Sequence, residues 1–392
     1  MKVIFYNIFG LGHINPTLPL ITSLVEAGHT VIYHSSPERK DLIEACGAEF
    51  RNYGRDDYKA ADYNPGKNFV LQTLPATLGL LPFLQEEIIF EKPDLLIYDS
   101  MAPWGKLLSH IFKLPAVCTV TTLPLTSEQK LNTFAQHGVK PDELNLRVLR
   151  EIKEKYELEL NFDCVLGAYN ECNLVFSIGT LNPNYDLPSQ HFHFIGAPSR
   201  KEDSSYFPIQ TVLMNSRKVI TMALGTLLPE EDPVVIDWYR CLIDAFSSDK
   251  RFQIVISTGN KHNRDQLGQL SPNIYACDKI PQLEVLKFTS VFIHHGGMNS
   301  ITEGMAAGVP MIIIPHSKDQ LTNAVKVQEL EIGLTIKPEE LNSTRLRKEV
   351  LNLMFSPRVK HKVMAIQQQF HDHRRSKDAL SIIQERALEY TS

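Results

Sequence analysis

Two stretches of the chain carry side chains whose types and order could do chemistry. The first is residues 291–324, VFIHHGGMNSITEGMAAGVPMIIIPHSKDQLTNA. An apolar run ends there in His294-His295-Gly296-Gly297, and a helix is expected from about Asn299. Backbone without side chains then lies where free N–H groups and the positive end of the helix dipole are exposed, which suits an anion such as a phosphate. Asn299 and Ser300 are expected to cap the helix and to donate to phosphate oxygens, with the His295 imidazole against the same oxygens. Glu303, one turn further in, could accept from two ribose hydroxyls. Asp319 and Gln320, after the strand Met311–Ile314 and Pro315, suit adjacent sugar hydroxyls. Each feature alone is ordinary; their succession within one strand-turn-helix-strand unit points to a bound sugar phosphate.

The second constellation is spread further apart. His13 sits in the turn Gly10-Leu11-Gly12-His13-Ile14-Asn15-Pro16, directly after an apolar run, and Asp99 is the last residue of the strand-like Pro93-Asp94-Leu95-Leu96-Ile97-Tyr98-Asp99. Open α/β sheets bind ligands at the carboxyl ends of their strands, where the strand order reverses. A His/Asp pair across that point is the expectation, and an imidazole held by a carboxylate can take a proton from a substrate. Asp94 precedes the same strand and belongs at its opposite end.

The elements that must position these residues follow from patterning. Residues 2–9, KVIFYNIF, are apolar without alternation, as in a buried parallel strand. A helix over 16–27, closed by Gly28, and a strand His29–Tyr33 complete a βαβ opening. The glycines are not the dinucleotide pattern G-x-G-x-x-G, because position 15 is asparagine. Strands at 174–178 and 193–195 close the first half. Polar, irregular sequence at 198–216 after Gly196-Ala197-Pro198 reads as a linker. A second series opens at Lys218, with strands over 218–225, 253–258, 273–276, 291–293 and 311–314. Helices follow over 321–330, ended by Gly333, and through much of the last fifty residues. The expected architecture is α/β: a domain over 1–197, a linker over 198–216, a second doubly wound domain over 217–370, and a terminal segment over 371–392. The long connections at 52–92 and 119–150 are where a pocket for a second substrate would be built, with Phe83, Trp104 and Thr122 as candidate walls.

The 294–324 block resembles the donor-sugar signature of the UDP-dependent glycosyltransferases of the macrolide and plant-metabolite type, glycosyltransferase family 1, in its bacterial form. Phe9-Gly10-Leu11-Gly12-His13-Ile14-Asn15-Pro16-Thr17 resembles that family's base-bearing turn. The likeness is strong over 219–330, good over 3–31 and thin through the long connections. It implies the GT-B fold of two Rossmann-like domains facing a cleft, with the final helix returning to the N-terminal domain. It also implies an inverting hexosyltransferase in which His13 is the general base and Asp99 its orienting partner. Thr226, after Gly225, would be a hydroxyl donor under the diphosphate. Asp278-Lys279-Ile280-Pro281-Gln282 would be the base-binding turn, with backbone at Ile280 reading uracil and Gln282 meeting base or ribose. Lys279 departs from the aromatic residue that many members carry there. The implied donor is a UDP-sugar, glucose foremost, and the implied acceptor a hydrophobic, hydroxylated small molecule such as a macrolide or flavonoid. No D-x-D sequence occurs, so neither a metal nor any other cofactor is expected. A sugar-nucleotide epimerase or hydrolase on the same fold, and a noncatalytic sugar-nucleotide-binding subunit, are the alternatives. The His13/Asp99 pair and the long connections favour transfer.

Composition narrows the setting. Length 392 with 43% hydrophobic and 22% charged residues fits a two-domain globular enzyme. A net charge of −5 excludes a general nucleic-acid binder, which needs a basic face. Six scattered cysteines without a C-x-x-C pair suggest neither zinc nor disulfides, hence a reducing cytoplasm. No signal peptide and no transmembrane run are expected. The apolar segment 78–90, interrupted by Pro82 and Glu86-Glu87, allows peripheral membrane contact at most.

Overall fold

The computed structural model describes residues 1–53, 69–182, 187–196, 204–213, 217–225, 233–316, 318–373 and 379–389, without the side chains of Phe69, Val70, His137, Lys318, Asp319, Asp372 and His373. Thr226, parts of the segment 198–216 and the side chain of Asp319 therefore lie outside the described residues. The chain forms two units, residues 1–200 with 373–392, and residues 201–372.

The first unit is built on β1 (Lys2–Tyr6), β2 (Thr30–His34), β3 (Glu49–Arg51), β4 (Leu95–Asp99), β5 (Ala116–Val120), β6 (Asn173–Val175) and β7 (Phe192–Phe194). The order is β3-β2-β1-β4-β5-β6-β7, parallel throughout its pairs. Runs such as Val3-Ile4-Phe5 and Leu95-Leu96-Ile97 are buried on both faces, which is why they show no alternation. One face packs on helices that include Phe69–Glu91 and Pro103–Phe112, and the other on Leu18–Glu26 and the last helix, Ala379–Leu388. The order reverses between β1 and β4.

The second unit repeats the scheme with β8 (Lys218–Ala223), β9 (Phe252–Ser257), β10 (Ile274–Cys277), β11 (Thr289–His294), β12 (Met311–Ile313) and β13 (Gly333–Thr335), in the order β10-β9-β8-β11-β12-β13. Its pairs are also parallel, and its reversal lies between β8 and β11.

The long connection expected over 52–92 contains the 23-residue helix Phe69–Glu91, with Pro75 and Pro82 inside it, packed against Pro103–Phe112 and Glu143–Tyr156. Three local expectations need correction. The expected helix over 16–27 is in fact a four-residue helix Leu11–Ile14, a 3-10 turn Asn15–Thr17 and a helix Leu18–Glu26. Pro16 and Pro19 lack the N–H groups a continuous ladder would use. Gly333 does not end the helix Lys318–Glu329; Glu331 breaks away at φ 57° and Gly333 opens β13. Trp104 is fully buried core rather than an exposed wall. Among the described residues no helix is long and apolar enough to cross a membrane.

Candidate active site

His13 lies in the helical turn after β1, and Asp99 is the last residue of β4, so the two flank the first reversal of strand order. The His13 Nδ1 and the Asp99 Oδ2 are 2.9 Å apart. Asp99 is fully buried, while the His13 side chain keeps 16% of its surface. The second oxygen of Asp99 accepts from the Met101 N–H at 2.8 Å. A carboxylate fixed at both oxygens has no freedom to leave the imidazole, and because it only accepts, it places the proton on Nδ1 and leaves Nε2 as the basic atom.

The turn that carries His13 is tied down by polar groups that patterning did not indicate. The Asn7 amide donates to the His13 carbonyl at 3.2 Å and to the Tyr33 hydroxyl at 2.7 Å. Thr17 and Tyr33 join their hydroxyls at 3.0 Å, and the Tyr53 hydroxyl donates to the Asn7 carbonyl at 2.8 Å. Thr121, just past β5, sets its hydroxyl 2.9 Å from the His13 Nδ1. Asp94 donates nothing to this site; its carboxylate accepts from the Lys2 N–H at the other end of the strands.

The second reversal carries the other constellation. β8 leads to Gly225, and β11 leads to His294-His295-Gly296-Gly297. The His295 ring is clasped by two glycines. A Cβ on Gly225 would lie 2.6 Å from its Cε1, and one on Gly297 would lie 2.5 Å from its Nε2. No other residue type leaves the imidazole where it is. His294 is buried, stacks on Phe292 with ring centroids 4.6 Å apart, and accepts the Gly296 N–H on its Nδ1 at 3.1 Å. Burial and the neighbouring His295 push its pKa well below the usual histidine value, so it is neutral.

The helix Met298–Ala307 begins here with Gly297 as its N-cap and no side-chain cap. Asn299 and Ser300 are thus not caps, because they sit inside the first turn, among the N–H groups that have no intrahelical acceptor. Glu303, one turn on, accepts from the Gln282 amide at 2.6 Å. Two residues assigned to base and ribose from separate motifs are therefore one hydrogen-bonded pair. Ile280 lies in the turn between β10 and the helix that Gln282 opens, where the Asp278 carbonyl accepts from the Gly259 N–H at 2.9 Å. Arg264 reaches the Asp278 carboxylate at 3.2 Å. Gln320 accepts the His316 N–H at 2.7 Å through its side-chain oxygen. Asn323, which the sequence did not single out, donates to the Gly296 carbonyl at 3.0 Å and binds the helix Lys318–Glu329 to the glycine turn. Among the described residues no three His, Cys, Asp or Glu side chains are gathered to hold a metal ion.

The chain has relatives over nearly its whole length. The family described as "Erythromycin biosynthesis protein CIII-like, C-terminal domain" matches residues 244–372. The NDP-glycosyltransferase YjiC of Bacillus subtilis (strain 168) is 30% identical, over 88% of this chain and 86% of that protein. The oleandomycin glycosyltransferase of Streptomyces antibioticus is 24% identical, over 97% of this chain and 90% of that protein. Among solved structures, the glycosyltransferase of kitacinnamycin superimposes with a TM-score of 0.81 at 25% identity, covering 100% of this chain and 98% of that one.

Proposed function

The chain belongs to the NDP-glycosyltransferases, GT-B enzymes of two Rossmann-like units, and from that premise we propose that it moves glucose from UDP-glucose to a hydroxyl of a hydrophobic small molecule, with inversion. The observation that carries the proposal is the buried Asp99 carboxylate 2.9 Å from the Nδ1 of the largely buried His13, at a strand-order reversal. That arrangement supplies a base of one fixed tautomer.

In this reading the acceptor hydroxyl donates to the His13 Nε2 and attacks the anomeric carbon from the face opposite UDP. Its proton passes to Nε2 as the new C–O bond forms and the bond to the diphosphate oxygen breaks. Asp99 stabilises the imidazolium that results. Negative charge developing on UDP meets the start of the helix Met298–Ala307, His295, Asn299 and Ser300, an electrostatic sink made of groups already in place. Gln282 and Glu303 hold base and ribose, with the backbone at Ile280 reading the uracil edge. Asp319, Gln320 and Thr226 complete the donor set by resemblance. No metal is required. The acceptor class is supported by relatives named for oleandomycin and kitacinnamycin, and macrolides and flavonoids are the first molecules to test.

The test follows UDP release from UDP-glucose in EDTA with a panel of flavonoid and macrolide acceptors, for wild type and His13→Ala. Acceptor-dependent release in wild type, its loss in the variant and a β-glucoside by NMR are expected. An α-glucoside product, or full activity of His13→Ala, would sink the mechanism.

A further inference from the structure

We propose that Thr121 is a positioning residue for His13: its hydroxyl shares the Nδ1 proton with Asp99 and so fixes both the plane and the tautomer of the ring. The proposal rests on the reading of His13 as the base, and it concerns a residue outside both constellations evident in the sequence.

Strand register explains how Thr121 arrives there. β4 and β5 pair Asp99 with Thr119, the last pair of that ladder, and β5 itself ends one residue later at Val120, whose carbonyl accepts the Phe176 N–H on the β6 side. Two residues on, Thr121 stands on the same face as Thr119 and one step beyond the strand ends, beside the imidazole. It is 4% exposed. The Asp99 Oδ2 and the Thr121 Oγ1 are each 2.9 Å from the same ring nitrogen.

Only one assignment of protons satisfies all three groups. The carboxylate can only accept, so Nδ1 carries the proton, and Thr121 must then accept as well while its own proton turns away. A single acceptor leaves the ring free to tilt about one hydrogen bond. Two acceptors on one N–H define the ring plane and aim Nε2.

The hydroxyl is not engaged in the way those of several helical threonines in the same unit are. Thr22, Thr77 and Thr133 each donate to the carbonyl four residues back in their own helix, a local bond that carries no functional information. The loop after Thr121 is also held from behind. The Leu125 N–H donates to the Tyr169 hydroxyl at 2.9 Å, and the Lys130 ammonium lies 4.3 Å from the centroid of that ring. Lys130 is itself fixed to the Gly167 carbonyl at 2.8 Å. A loop built only to connect β5 to the next helix has no need of such bracing.

The experiment reads the ring directly and needs no acceptor. Full-length protein labelled with 15N-histidine is compared as wild type, Thr121→Val, Thr121→Ser and Asp99→Asn, with His13→Gln to assign the signal. Wild type should show the Nδ1–H tautomer. Thr121→Val keeps the shape and removes the acceptor, so the Nε2–H tautomer should rise several-fold, and Thr121→Ser should restore the wild-type pattern. With UDP-glucose and an active flavonoid or macrolide, kcat of Thr121→Val should fall about three- to tenfold at unchanged donor KM. An unchanged urea midpoint followed by Trp104, buried in the same unit, shows that the variant is folded. A wild-type tautomer in Thr121→Val overturns the proposal alone. Full activity of His13→Ala overturns the base assignment and with it the role of Thr121.

Discussion

On the proposed reading, the two reversals of strand order solve different problems, base catalysis and anion binding, with different materials. At the first, between β1 and β4, the histidine is surrounded by side chains: Asp99 and Thr121 on its Nδ1, with Asn7 beneath its carbonyl. At the second, between β8 and β11, the histidine is surrounded by backbone, with Gly225 and Gly297 against its ring and a helix start beside it. A base needs one atom in one protonation state, which directional acceptors provide. An anion needs several donors around a volume that no side chain fills, which glycine and a helix terminus provide. The first site should therefore fail through lost chemistry and the second through lost binding.

Removing the proposed acid/base pair should give the largest effect. His13→Ala and Asp99→Asn are expected to lower the rate of transfer by about 10² to 10⁴, with UDP affinity by calorimetry unchanged, because the donor groups belong to the other unit. A parallel loss of UDP binding would break the comparison.

Gly225→Ala should do the converse. Its φ of +91° disfavours an L-residue, and the new Cβ would fall 2.6 Å from the His295 Cε1. The imidazole must move, and UDP affinity should fall about tenfold or more. Uridine, which lacks the diphosphate, should bind nearly as before, and the tautomer of His13 should not change. Equal losses for UDP and uridine would place the defect in folding rather than at the phosphate site.

How much of this was legible depended on whether a residue acts through its own segment or through a neighbour. His295, the glycines and the helix after them are contiguous, so the strand-turn-helix proposed to hold the diphosphate could be read from their order. Asp99 ends a strand and His13 lies in the glycine turn that follows one, both recognisable places. Thr121 has no such mark: TVTTLPLT shows a strand end and nothing more. It becomes visible only once β5 is known to lie beside β4 with Asp99 opposite Thr119. Asn323 and the Asn7–Tyr33–Thr17 group were hidden for the same reason, since their partners are set by register and packing. The helix Phe69–Glu91 was not legible because Pro75 and Pro82 lower its local propensity, and the packing that holds it comes from distant segments.

Gln282 gives a smaller effect that sharpens the second region. Its amide donates to Glu303 at 2.6 Å, so Gln282→Ala should weaken UDP and uridine alike, by about fivefold. Gln282→Glu sets two carboxylates against each other and should weaken both more. A defect confined to UDP would mean that the pair serves the diphosphate instead of the nucleoside.

The least conspicuous difference between the regions is in their response to acid. His294 is buried and neutral, its pKa held well below 6.5 by burial and by His295. The unfolded chain takes up this proton below pH 6.5 and the folded unit does not, so stability falls as pH drops, by up to about 1.4 kcal/mol per pH unit. In the first unit, burial pushes the Glu87 carboxyl up, but hydrogen bonds and charge from His34 and Arg51 outweigh it and leave the pKa below 4.5. The Glu87 contribution is therefore intact above pH 4.5 and is lost only as pH falls further. The two tryptophans separate the units, Trp104 in the first and Trp238 in the second. In Trp104→Phe, the urea midpoint followed by Trp238 should drop between pH 7.5 and 5.5, and a further His294→Asn change should flatten that drop. An equal slope with and without His294 would assign the acid sensitivity to the other histidines of the second unit and remove this contrast between the regions.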